Sequence, residues 1–534
     1  MIQPALSTLA RRALLTGASV AATLAGQTGS PRADRGRSDA RAKDAFDLRR
    51  QLAEAELRLG EPLHPTNGDE RTYHQRIGSF SKGLPHNALG EVDPAAYQTM
   101  LAALDSESPD AFERITLGLG RKLTNPQAGL AFEVEGADSH ALAMRPAPAF
   151  ASAETAGEMA ELYWMALLRD VPFREYGGDA TAARAAADLS RLTDFRGPKL
   201  AGRVTPATLF RDLSPGCTTG PYLSQFLWLV APFGAELLDR SMRTTAAGMD
   251  YLTTAGEWLD VQRGTTSFRA SRYDDTRRYI RNGRDLGEWV HIDVLFQAYF
   301  TALLCLLSMG APLDPANPYL RSRTQTGFGT LGDPYIASLL CAVAKPALKA
   351  VWFQKWFVHR RLRPEAFGGR VHHRRTGAAS YPLHADILNS SALSDIVSKH
   401  GSYLLPLAFP EGSPTHPAYG SGHATVAGAC TTILKAFFDE AYVLPSPVEA
   451  SGDGLTFAPY QGAPLTLGGE LNKLAANVAH GRNIAGVHWR TDATEAMRLG
   501  EEVAIRCLRQ ERECFNEAFN GFSLTRFDGT RVTV

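Results

Sequence analysis

The sequence predicts a mainly α protein, with helices bundled around a buried site and a few short strands. Apolar residues recur three and four apart in six long segments between about residue 45 and residue 510, the spacing of helices that bury one face. Long Pro- and Gly-rich connections separate these segments, notably 364–382 and 405–422. Basic residues and histidines gather near the ends of the apolar runs, where helices begin or stop. The bulk composition, 44% hydrophobic and 21% charged, is that of a globular chain.

In chain order, "LARRALLTGASVAATLAG" places Arg11 and Arg12 before small and apolar residues. That run is too short to span a membrane. It reads as an export signal over residues 1–26, of the bacterial twin-arginine kind, and implies a periplasmic or secreted protein. Residues 27–44 are polar, basic and aperiodic, so a disordered linker is expected there.

Helical spacing then marks "DAFDLRRQLAEAELRLG", "AETAGEMAELYWMALLRDV" and "VHIDVLFQAYFTALLCLLSMG". The segment beginning Asp333-Pro334 carries proline in its first turn, a good start, and Pro346 should kink it. "GELNKLAANVAHGRNIAG" and "DATEAMRLGEEVAIRCLRQ" complete the set, and "SLTRFDGTRVTV" reads as a hairpin turning at Asp528-Gly529. There is no internal repeat.

Lys plus Arg and Asp plus Glu both number 56, so no general attraction to nucleic acid or to an anionic membrane is expected. The six cysteines form no C-x-x-C pair, which argues against a zinc or thioredoxin-type site. Cys507 and Cys514 lie roughly 10 Å apart by helical rise, too far to bridge.

Three clusters remain. "HPAYGSGHATVAGA" (416–429) sets His416, Gly420, Ser421, Gly422 and His423 ahead of a buried-looking helix. A helix mouth offers unpaired N–H groups and partial positive charge, which suits an oxyanion, although a serine cap beside turn glycines explains the stretch equally well. "KWFVHRRLRPEAFGG" sets Lys355 eight residues before Arg363, which Pro364 directs away from helix. "AHGRNIAGVHWRTDATEAMRLG" sets Arg482 six before His488, with Asp492 four beyond. Together they supply three cations, neutral donors and two histidines for a tetrahedral oxyanion.

At these residues the chain resembles the vanadium-dependent haloperoxidases, within the superfamily they share with acid phosphatases of the type-2 phosphatidic acid phosphatase kind. The shared signature reads Lys355…Arg363-Pro364, then Ser421-Gly422-His423, then Arg482…His488…Asp492. Seven residues between Lys355 and Arg363, and His416 five before Ser421, resemble the algal bromoperoxidase branch. So do "GPYLSQFLW", "WLDVQRG" and "VHIDVLFQAYF", and the likeness spans about residues 120–510. Gly420 and Gly481 depart from the phosphatase pattern, which has Pro and Ser there.

The resemblance implies two four-helix bundles, a single catalytic domain over 45–534 with an N-terminal helical extension, and a vanadate cofactor. His488 Nε2 would bind vanadium axially, and Lys355, Arg363, Arg482, Ser421 and the Gly422 N–H would hold the equatorial oxygens. His423 would act in proton transfer, and Lys355 would polarise peroxide. His416 would face the halide, with Trp352 flanking the same pocket. Asp293 and Asp492 are expected in supporting roles. Hydrogen peroxide, bromide or iodide and small organic nucleophiles would be the partners, in a homo-oligomer. Two alternatives stay open: a phosphatase with His488 as nucleophile, and a non-catalytic, exported oxyanion-binding protein.

Overall fold

The structure, a computed structural model, describes residues 35–534. The expected export signal and residues 27–34 of the expected linker lie outside the described residues. Its principal helices are α1 (Arg35–Leu59), α2 (Ala153–Leu167), α3 (Ala180–Ser190), α4 (Gln297–Ser308), α5 (Asp333–Ala342), α6 (Ala344–Phe353), α7 (Pro364–Thr376), α8 (Ala392–His400), α9 (Gly422–Phe437), α10 (Leu467–Ile484) and α11 (Arg490–Cys514). Three antiparallel hairpins complete the fold: β1 (Ala231–Phe233) with β2 (Glu236–Leu238), β3 (Val448–Ala450) with β4 (Phe457–Pro459), and β5 (Ser523–Thr525) with β6 (Arg531–Thr533). In the last, Ser523 pairs with Thr533 across the expected turn, where Gly529 takes a positive φ of 85°.

α9 is the centre. Every residue of it except His423 is buried, so it is a core helix on all faces. It packs against α4, α5, α6, α10 and α11. Two glycines let α9 and α11 cross closely: a Cβ on Gly428 would lie 2.0 Å from the Met497 carbonyl oxygen, and one on Gly500 would lie 1.9 Å from that of Thr425. A second group of helices surrounds α2, which packs on α3 and α8 and reaches α7 and α10. One continuous hydrophobic core runs through both groups, with a smaller cluster around Phe80, Tyr97, Met100 and Trp356.

Pro346 acts as expected. The apolar run breaks at Val343, and the proline falls in the first turn of α6, where a missing N–H costs nothing. Asp333–His359 is long and apolar enough to cross a membrane, but it packs against α9 and α11, with 56% of its most apolar window buried.

Three local expectations change. Helix begins at Arg35, inside the expected linker, because the Arg- and Ala-rich stretch carries strong helix formers. Residues 364–376, expected as connection, form α7: Pro364 occupies the first helical position and starts a helix instead of preventing one. The segment from Val290 turns helical only at Gln297, leaving Asp293 in the turn before α4.

A candidate oxyanion site

The chain after α6 does not stop but widens into a π turn, Gln354–His359, which ends where Arg360 takes a left-handed conformation. Such a widened turn re-aims side chains and is common at functional sites. It places Lys355 fully inside, where Nζ donates to the carbonyls of Pro417 (2.9 Å) and Ala418 (3.1 Å). Arg363 caps α7 in extended conformation and turns inward. Its Nε donates to His416 O (2.9 Å), and one terminal nitrogen donates to Val487 O (2.7 Å) and to His488 Nε2 (3.0 Å). Arg482, in the last turn of α10, donates to Val290 O (2.8 Å) and lies over the Phe409 ring.

Ser421 is the N-cap of α9. Its hydroxyl accepts from Ala424 N–H (3.4 Å), and its own N–H donates to Asp492 O (2.8 Å), joining the mouths of α9 and α11. Helix geometry leaves the Gly422 and His423 N–H groups without intrahelical partners. A Cβ on Gly422 would come within 3.1 Å of the Trp352 ring, so that ring presses on the cradle. The cap reading therefore holds, and the Gly422 and His423 N–H groups stay available to an anion.

Carboxylate partners fix the tautomers of His488 and His423. His488 Nδ1–H donates to Asp492 Oδ2 (2.9 Å), which leaves the Nε2 lone pair directed at Arg363. His423 Nε2–H donates to Asp293 Oδ1 (2.9 Å), leaving Nδ1 free to exchange a proton. His416 Nδ1 lies 2.9 Å from an Arg363 nitrogen and 3.2 Å from Pro417 O, and its ring lies 4.8 Å from that of Trp352.

The electrostatics are lopsided. Burial, then the charges of Arg363 and Arg482, hold the Lys355 ammonium well below its ordinary range. Burial pushes Arg363 down to about 9 and Arg482 to about 10. His488 and His416 are likewise held well below 6.5, by burial first and by the neighbouring cations second, so both are neutral. Arg482 Nε is buried with no hydrogen-bond partner among the described residues. Of the carboxylates nearby, Asp492 is taken by His488 and Arg361, while Asp293 bonds His423 through Oδ1 and keeps Oδ2 buried without a partner among the described residues. Three buried basic side chains thus converge, none of them in a salt bridge among the described residues, a costly arrangement that an oxyanion would relieve.

The structure therefore brings together every residue singled out in the sequence: Lys355, Arg363, Ser421, Gly422, His423, Arg482, His488, His416, Trp352, Asp293 and Asp492. Sequence reasoning missed the layer behind them. Arg361 donates to Asp492 Oδ1 (3.0 Å), Thr491 Oγ1 (2.7 Å) and Glu158 Oε2 (2.6 Å), and Arg490 pairs with Glu161. Glu158 and Glu161 stand three apart on α2, which also buries Glu154 among mostly apolar residues, and buried carboxylates on such a helix were the available signal. At the mouth, His291 stacks on Phe409 (3.7 Å) and bonds Glu411 (2.6 Å).

Comparison with known proteins follows the same lines. Residues 394–517 match the family model described as the VCPO second helical-bundle domain. The chain is 36% identical to a vanadium-dependent bromoperoxidase of Corallina pilulifera, over 92% of this chain and 98% of that protein. It is 35% identical to one from Ascophyllum nodosum, over 89% of each. Its fold matches the homohexameric second vanadate-dependent bromoperoxidase of Ascophyllum nodosum with a TM-score of 0.89 and 34% identity, covering 97% of this chain and 95% of that one.

Proposed function

The chain belongs to the vanadium-dependent haloperoxidases, in their bromoperoxidase branch, and we propose that Lys355, Arg363, Arg482, Ser421, Gly422 and His488 are the residues that hold its vanadate. The enzyme uses hydrogen peroxide to oxidise a halide. The single observation supporting this assignment of residues is the concentration of buried basic side chains that form no salt bridge among the described residues. Three buried cations converge, one with an orphaned N–H, beside a neutral histidine whose Nε2 carries a lone pair. That donor set fits an oxyanion with one position open to a nitrogen ligand.

Vanadate, when bound, supplies a Lewis acid that activates peroxide towards the halide. The overall change, X⁻ + H₂O₂ + H⁺ → HOX + H₂O, consumes one proton. His423 is the group to move it, since Nδ1 is free and Asp293 stabilises the imidazolium from the other side. Lys355, two guanidiniums and the mouth of α9 balance the oxyanion's charge and polarise the oxygens nearest them. His416, held neutral, and the Trp352 face line the halide side and suit a large, polarisable anion such as bromide or iodide. The hypohalous acid formed then halogenates small organic nucleophiles.

A phosphatase would use the same His488 lone pair as nucleophile, and a simple binding protein would use the same cations. Neither is favoured, because relatives covering most of the chain are bromoperoxidases. The Arg11-Arg12 leader supports an exported enzyme. The homohexameric relative, together with exposed Leu57, Leu59, Leu63, Phe132 and Val134, supports an oligomer.

The test is a bromination assay on purified protein with peroxide and bromide, with and without orthovanadate, paired with a chromogenic phosphomonoester assay. Bromination that requires vanadate and is competed by phosphate is the expected result. Phosphatase turnover without vanadate-dependent bromination would overturn the reading.

A further inference from the structure

The turn that carries His488 joins two buried helices in five residues, 485–489, and none of those residues is exposed. Its backbone must therefore find partners inside the protein. The carbonyl of Ile484 accepts from Arg169, that of Ala485 from Ala408 N–H, and that of Val487 from Arg363. The Trp489 carbonyl takes the Ala493 N–H (3.2 Å), and that of His488 remains without a partner of its own. Asn483 stands beside both. With its amide oxygen accepting from His480 Nδ1–H (2.9 Å), its nitrogen donates to His488 O and to Trp489 O, each at 3.3 Å.

His480 is held in turn. Its Nε2 donates to Asp212 Oδ2 (3.2 Å), while the other oxygen of that carboxylate accepts from the Ser214 N–H and hydroxyl. His480, Asn483 and Asp212 are at most 3% exposed. In this arrangement both ring nitrogens donate, Nε2 to the Asp212 carboxylate and Nδ1 to the Asn483 amide, which is the imidazolium form of the ring. Were Nδ1 an acceptor, the amide would turn over and set its oxygen against two carbonyl oxygens, an arrangement that leaves the amide oxygen and the His488 carbonyl unsatisfied.

We propose that His480 and Asn483 are positioning residues for His488. The imidazole, anchored on Asp212, orients the Asn483 amide, and the amide pins the carbonyls of His488 and Trp489, so that His488 Nε2 is in place before an oxyanion arrives. This rests on the reading of His488 as the nitrogen ligand of vanadate. Neither residue faces the oxyanion; they act from behind the turn, as the partners of ligating histidines do.

Asn483→Asp keeps the acceptor for His480 and removes both donors to the turn. Asn483→Ala removes the side chain without adding charge. Vanadate and phosphate affinities are measured by equilibrium dialysis on the wild type and both variants, with thermal melting as the check on folding. Phosphate reports the cationic cradle, whereas vanadate also needs the His488 nitrogen. A folded variant is expected to bind vanadate about tenfold more weakly or worse, with phosphate affinity changed less than about twofold. Unchanged vanadate affinity, or equal losses for both anions, would overturn the inference. A wild type that binds phosphate and not vanadate would instead overturn the reading of His488. Hydrogen exchange on the wild type without vanadate gives an independent answer. Amides 485–489 should exchange as slowly as those of α10 and α11, and fast exchange there would show that the turn is not held.

Discussion

The Nδ1 of His488 lies 2.9 Å from Asp492 Oδ2, four residues on, and the other oxygen of the same carboxylate takes Arg361 at 3.0 Å. One aspartate therefore orients the ring, sets its tautomer and ties it to the buried Arg361–Glu158 pair. Such partners make a ligating imidazole more basic and hold its plane. Asp492→Asn keeps the volume and removes the charge. It is expected to weaken vanadate binding tenfold to a hundredfold, read by dialysis, while Arg361 stays paired with Glu158.

Arg363 and Arg482 should each matter for retention of the oxyanion. A hydrogen bond to a charged group contributes about 1.5–3 kcal/mol, and about 1.4 kcal/mol is a decade in affinity. Arg363→Ala and Arg482→Ala are therefore expected to lose vanadate roughly tenfold or more. Wild-type affinity in either variant would contradict the role given to that guanidinium.

His423 should separate binding from turnover. Its Nε2 is occupied by Asp293 and its free nitrogen handles the proton. His423→Ala is expected to lower kcat by about 10²–10⁴ while vanadate affinity falls far less. Steady-state bromination alongside dialysis reads both quantities on one preparation.

Stability should fall in acid. Burial holds His416 and His488 well below 6.5, His86 at about 4 and His359 at about 3. Below pH 6.5 the unfolded chain therefore binds more protons than the folded one. Each such histidine then subtracts up to about 1.4 kcal/mol per pH unit until its folded value is reached. His291 has the opposite sign. Burial lowers it, but Glu288 and Glu411 raise it to about 9, so its contribution is full below pH 6.5 and is lost as pH rises through 9. Denaturant midpoints of the vanadate-free protein should drop steadily from neutral pH to about pH 5. A flat profile would contradict the burial of these rings.

Much of the site was legible because its chemistry fixes residue spacing. A cation before a helix break, a Ser-Gly-His helix mouth and an Arg…His…Asp run each follow from local geometry. The supporting layer was not, because Arg361–Glu158 and Asp212–His480–Asn483 join residues more than 200 apart in the chain. Pro364 misled in an instructive way. It does keep Arg363 extended, but the same fixed φ starts α7, so the segment after it is helix and not loop. The Asp293 turn was hidden inside an apolar run whose periodicity continues across it.

The central claim is that His488 gives vanadate a direct nitrogen bond while the cations hold its oxygens. Vanadium K-edge absorption on protein reconstituted with one equivalent of vanadate, compared with His488→Ala, tests it most directly. A nitrogen in the vanadium shell of the wild type, absent from the variant, is the predicted result. An all-oxygen shell in the wild type, or the same spectrum in both proteins, would contradict it.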